Sequence, residues 1–84
     1  EQEPEKKYVD EVKNLIHTIQ GVEGVYDLKI RKNMTQWYVD VEIAVKNSHS
    51  LETAHLIAES VHHSVENTFP DVIHCMVHVN PTKS

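Results

Sequence analysis

Two short patterns in this chain carry side chains able to hold a cation. Asp40 and Glu42 are two apart in the run Trp37 to Val45, and His74 and His78 are four apart in the run Val72 to Val79. On an extended strand, residues two or four apart project to the same side. Each pair therefore presents its donors together. Mixed carboxylate and imidazole donors suit a borderline divalent cation such as Zn(II), Mn(II) or Fe(II). Cuprous ion prefers sulfur, and this chain has one cysteine and two methionines. Alternating polar residues are also what any sheet with one wet face displays, so the pattern is open to a bland reading as well.

The other histidines divide by position. His55 flanks an apolar helical stripe, where it is either a core-edge imidazole bonded to backbone or a further ligand. His62 and His63 are adjacent on the same helical segment, and adjacent helical residues diverge, which makes them surface residues. His17 and His49 read as solvated. Catalysis finds no support, and no catalytic residue is assigned. The chain contains no G-x-S-x-G, H-E-x-x-H, P-loop or dinucleotide fingerprint. Cys75 alternates with apolar residues and reads as a buried small hydrophobe. A lone thiol forms neither an internal disulfide nor a multi-cysteine zinc site.

These residues need a scaffold, and 84 residues suffice for one small domain. Such a domain is marginally stable alone and gains from a partner subunit or a bound ion. A formal net charge of −5 excludes a nucleic-acid binder, which needs a basic patch. No apolar run approaches the ~20 residues that span a bilayer, so this segment is expected not to insert in a membrane. Residues 1–7 are polar and read as a linker remnant, 8–81 as the domain, and 82–84 as a tail.

Tyr8, Val12, Leu15, Ile16 and Ile19 recur at helical spacing, which predicts a helix from Pro4 to Gln20 with Gly21 as its C-terminal cap. Val25 to Lys32 reads as a strand with Leu28 and Ile30 on one face. Asn33-Met34-Thr35 is the expected turn, Asn33 taking positive φ. Trp37 to Val45 alternates cleanly and completes an antiparallel hairpin. Ser50 is the expected N-cap of a second helix, with Leu51, Ala54, Ala58, Val61 and Val65 as its stripe. In a last strand, about Val72 to Val79, Ile73, Cys75, Val77 and Val79 face one way and His74, Met76, His78 and Asn80 the other. The order α-β-β-α-β predicts a two-layer α+β, ferredoxin-like domain, with a three-stranded sheet and two helices on one face. The third strand is expected beside the first, in parallel. Asp40, Glu42, His74 and His78 then share the uncovered face.

Three stretches, in register, resemble the C-terminal domain of cation diffusion facilitators. Gly21-Val22-Glu23-Gly24-Val25-Tyr26-Asp27-Leu28-Lys29-Ile30-Arg31 is similar to the family's G-V-x-G-V-x-x-L-[RK]-x-R segment. Ser50-Leu51-Glu52-Thr53-Ala54-His55 is similar to its S-L-x-x-A-H helix start. Phe69-Pro70-Asp71-Val72, followed by Val77-His78-Val79-Asn80-Pro81, is similar to its F-P-x-V and H-x-[DN]-P ending. The resemblance spans about Tyr8 to Pro81. It implies a metallochaperone-like fold and a homodimer on the cytoplasmic face of a membrane, beneath its own transmembrane domain, which exchanges metal ions for protons. It also implies that metal draws the two arms of a V-shaped dimer together.

Residue by residue, the resemblance implies metal-binding roles for His55, His78 and Asp40, with Tyr38 as an aromatic beside the site. Tyr26 and Glu42 stand where zinc-type members often have histidines, and Asn80 where an aspartate is common. The implied site is therefore a weaker one, on Asp40 and His78 with Glu42 or His74, its open positions filled by water or the other subunit. Tyr38, Met76 and Asn80 are the expected dimer contacts. Two alternatives remain: a dimerisation and docking module that uses no ion, and a small soluble metal carrier, against which the missing Cys-x-x-Cys argues.

Overall fold

The computed structural model describes residues 4–82, so residues 1–3 of the expected linker and 83–84 of the expected tail lie outside the described residues. The elements are α1 (Lys6–His17), β1 (Gly24–Asn33), β2 (Gln36–Val45), α2 (Leu51–Thr68) and β3 (Val72–Pro81). This is the α-β-β-α-β order read from the periodicities. Helix α1 is shorter than its apolar spacing suggested. Glu5 is its N-cap, and Thr18 its C-cap, with backbone bonds back to Leu15 and Ile16. Gly21 lies past this cap in a turn, at φ +98°, and a β-carbon there would sit 2.6 Å from Ile57 Cδ1. Only glycine meets both conditions cheaply.

The sheet order is β1-β2-β3. Strand β1 pairs antiparallel with β2, and β2 pairs parallel with β3. The expectation that β3 would join β1 is therefore corrected: α2 returns the chain beside the strand it has just left. A β-α-β crossover between neighbouring parallel strands is the short connection that such a helix permits. Strand β2 becomes the centre. Its Val39, Val41, Ile43 and Val45 are buried beneath the helices, beside Val12 and Ile16 of α1 and Val61 and Val65 of α2. Burying each such side chain contributes roughly 1.5–3 kcal/mol.

Two irregularities set which residues face which way. The β1–β2 register shifts between Tyr26 and Lys29, where Asp27 takes φ +50°. Aspartate tolerates this left-handed region better than most residues, and the extra residue forms a bulge. The β2–β3 register shifts between Trp37 and Tyr38, opposite Val72 and His74. Ile73 is the displaced residue. It is 45% exposed while Val72 is buried, contrary to the simple alternation. In the hairpin turn it is Met34, not Asn33, that adopts positive φ, at +61°.

Ser50 caps α2 as expected, its side chain accepting from the Thr53 N–H at 3.1 Å. The buried stripe differs from the expected one. Ile57 is 8% exposed and joins Val61 and Val65 in the core, whereas Leu51 is 88% exposed. Leu51 lies in the first turn of the helix and faces solvent. Replacing Ile57 with alanine should cost about 2–4 kcal/mol, while Leu51→Ala should change stability by less than about 0.5 kcal/mol; chemical denaturation of both variants checks the contrast.

Cys75 is buried, and burial, with smaller contributions from Glu66 and Asp40, pushes its thiol up to about 12 from 9.0. In the unfolded chain the thiol ionises first. Its contribution to stability is therefore intact below 9.0 and is lost as pH climbs toward about 12. Urea-unfolding midpoints should fall more steeply over that window in the native chain than in a Cys75→Val variant.

Candidate metal centre

The register assembles the uncovered face row by row. Arg31, Tyr38 and His74 align across the three strands; then Lys29, Asp40 and Met76; then Tyr26, Glu42 and His78; then Gly24, Ala44 and Asn80. Alternation along β2 sends these residues away from the helices, since their neighbours Val39, Val41 and Ile43 are buried under them. The face therefore grades from two cations on β1, through two carboxylates on β2, to imidazoles on β3.

Asp40 and His78 meet on this face. Asp40 Oδ1 lies 3.0 Å from His78 Nε2, and both side chains are half exposed, at 54% and 55%. An exposed pair of this kind contributes at most about 1 kcal/mol, so a cation able to ligate both groups loses little by separating them. The carboxylate supplies a hard oxygen and the imidazole a borderline nitrogen, a donor set that fits Zn(II), Mn(II) or Fe(II). Glu42, next along β2, is already engaged: Asn80 Nδ2 donates to its Oε2 at 2.8 Å. Its second oxygen is not held by that bond.

The remaining candidate residues do not converge on the pair. His74 belongs to this face by register, but its Nδ1 approaches Glu66 Oε2 of α2 at 3.9 Å. His55 lies on α2 and lines a groove with Leu51, Ala54, Val77, Val79 and Pro81, on the helix side of β3. The sheet thus separates His55 from Asp40 and His78. Among the described residues, no group of three or more His, Cys, Asp or Glu side chains is gathered to hold a metal. The expected contact residues Tyr38 and Met76 do lie exposed on the face, at 36% and 47%, with Tyr26 at 55% beside them.

The surface reading of His62 is overturned. His62 Nδ1 lies 2.7 Å from the Cys75 carbonyl oxygen and 3.3 Å from Glu66 Oε2. Glu66 Oε2 in turn accepts from the Cys75 N–H at 2.8 Å. Two helical side chains thus satisfy the outward backbone groups of an edge strand. The i, i+4 spacing of His62 and Glu66 was a visible signal, but their partner on β3 was not. Lys29 was also overlooked. The register sets it opposite Asp40, a cationic residue across from a carboxylate one.

The profile described as "Cation efflux protein, cytoplasmic domain" matches residues 4–82. The chain is 34% identical over 68 residues to metal tolerance protein 2 of Oryza sativa subsp. japonica, covering 81% of this chain and 18% of that protein. It is 27% identical over 73 residues to metal tolerance protein C1 of Arabidopsis thaliana, covering 87% of this chain and 16% of that protein. It therefore spans about a fifth of the length of these relatives. Among solved structures it is similar to MamM C-terminal domain variants. One is a cadmium form, with TM-score 0.88, 20% identity and coverage of 93% of this chain and 98% of that one. Another is a nickel form, with TM-score 0.85, 23% identity and coverage of 92% and 99%. At these identities the structural likeness speaks for the fold. This chain belongs to the cation efflux family, the cation diffusion facilitators, as a cytoplasmic domain.

Proposed function

We propose that this domain is the metal-sensing regulatory part of a proton-coupled divalent-cation transporter, acting as a homodimer on the cytoplasmic face of a membrane. The observation that carries this reading is the Asp40–His78 pair, 3.0 Å apart and half exposed on the face that no helix covers. A cation taking Asp40 and His78 has open positions left for water, for Glu42 or for residues of a second copy. Without it, Asp40 and Glu42 of two copies brought face to face repel each other, a repulsion that Lys29 moderates. With it, the repulsion is removed and the closed arrangement gains population by the cation's differential affinity for the two forms. The relatives' name, metal tolerance proteins, and the cadmium and nickel forms of the similar structures support a divalent-cation ligand.

A second reading has its own observation. Tyr26, Tyr38 and Met76 are exposed together on the same face, an apolar set that could join two copies with no ion. Small-angle scattering separates the two. A sensor gives a more compact profile with Zn(II) or Mn(II), whereas profiles unchanged by metal favour the ion-free module.

Calorimetric titration of Zn(II) and Mn(II) into the chain should show binding that weakens at least about tenfold in Asp40→Ala and in His78→Ala. Heats identical to those of the native chain in both variants would eliminate the site. Affinity should also fall as pH is lowered, because a protonated imidazole cannot ligate, and His78→Ala should flatten that dependence.

A further inference from the structure

We propose that the tip of the β1–β2 hairpin docks on the anionic headgroups of a lipid membrane, Met34 entering the interface while Arg31 and Lys32 hold headgroups beside it. The proposal rests on the reading above of a domain at the cytoplasmic face of a membrane, and it names a surface which that reading leaves unassigned. The chain carries 13 acidic residues against 8 Lys and Arg, yet the segment Leu28 to Val39 holds Lys29, Arg31 and Lys32 and no carboxylate. Asn33 pairs with Gln36, so Met34 and Thr35 close the hairpin. A single exposed apolar residue is ordinary. The backbone of Met34 is not: it takes φ +61° in a two-residue loop where glycine or asparagine is favoured, and the residue is 86% exposed. An apolar side chain held in water on a disfavoured backbone serves neither the turn nor the core. Strain of this kind points to a contact made outside the chain.

Cations flank this methionine on both faces of the hairpin. Arg31 lies across from Tyr38 on the open face. Lys32 lies across from Trp37, its Nζ 5.3 Å from the centre of that ring. Both are within about 10 Å of Met34 along the strand. Lys29 and Asp40 face each other about 13 Å back from Asn33, beyond a Debye length of about 8 Å at physiological salt, and contribute little at the tip. Lys7, Glu5 and Glu11 line the cleft beneath Lys32, so the excess of positive charge is concentrated at the tip itself. The long apolar stems of Arg31 and Lys32 let their charged ends stay at headgroup level while Met34 sits deeper. Each basic side chain near an anionic leaflet adds to the attraction. A convex tip with an apolar centre fits a planar interface, whereas an acidic peptide is better held by a groove, and a net charge of −5 repels nucleic acid.

The test is co-sedimentation of the 84-residue chain with phosphatidylcholine vesicles, prepared with and without phosphatidylserine. Binding should require phosphatidylserine and be lost at about 0.5 M salt. Arg31→Gln and Lys32→Gln should each weaken it about fivefold. Met34→Asn should weaken it as well while raising the unfolding temperature, because asparagine accepts positive φ more readily than methionine does. A variant that merely misfolds cannot give that pair of opposite changes. Zn(II) calorimetry on Met34→Asn should match the native chain. If vesicle binding is absent while Zn(II) still binds through Asp40 and His78, the tip proposal falls and the sensor reading stands. Sedimentation that is the same with and without phosphatidylserine would overturn the proposal. So would binding that needs Arg31 and Lys32 but ignores Met34, the behaviour of a surface for acidic polymers.

Discussion

The strict alternation along β2 is the constraint on which the rest of this domain depends. As the central strand it is paired on both edges, and Val39, Val41, Ile43 and Val45 are buried beneath the two helices. A slip of one residue would turn that whole set toward water and bring Asp40 and Glu42 into the core, so the register is strongly specified. The apolar set and the carboxylates are two consequences of one period. The pressure to bury the valines is also what delivers Asp40 to the open face.

The edge strands are less regular, and their irregularities matter for the chemistry. The bulge at Asp27 restores phase on β1, so that Val25 and Ile30 are both buried and Lys29 falls opposite Asp40. The displacement of Ile73 does the same at the start of β3, where Val72 and Cys75, three apart, are both buried. Strand β3 has β2 on one side only. Its outward groups at Cys75 are satisfied by His62 and Glu66 of α2, which also blunts an edge that would otherwise offer itself to another strand.

Under the proposed reading, an ion at the Asp40–His78 pair is regulatory and not architectural. The core is complete without it, and two half-exposed side chains contribute little to folding. Its donors are few, so a second copy or water must complete any coordination. Asn80 engages one oxygen of Glu42 by a 2.8 Å bond. The neighbouring tyrosines and Met76 provide the apolar surface against which another copy could rest.

Element order, fold class and the burial of alternate residues on β2 were legible in the residues themselves, because periods of two and of about 3.6 are local properties that backbone geometry imposes. The sharing of a face by Asp40 and His78 followed from the same periods. Pairing across space was not legible in this way. That β3 lies beside β2 rather than β1, that Ile57 and not Leu51 enters the core, and that His74 leans to Glu66 while the sheet parts His55 from Asp40 were all decided by tertiary structure. The physical reason is that these depend on which surfaces meet and on single-residue bulges that shift phase. Such a bulge at Asp27 or Ile73 reflects a balance of packing against distant residues, which no local spacing encodes.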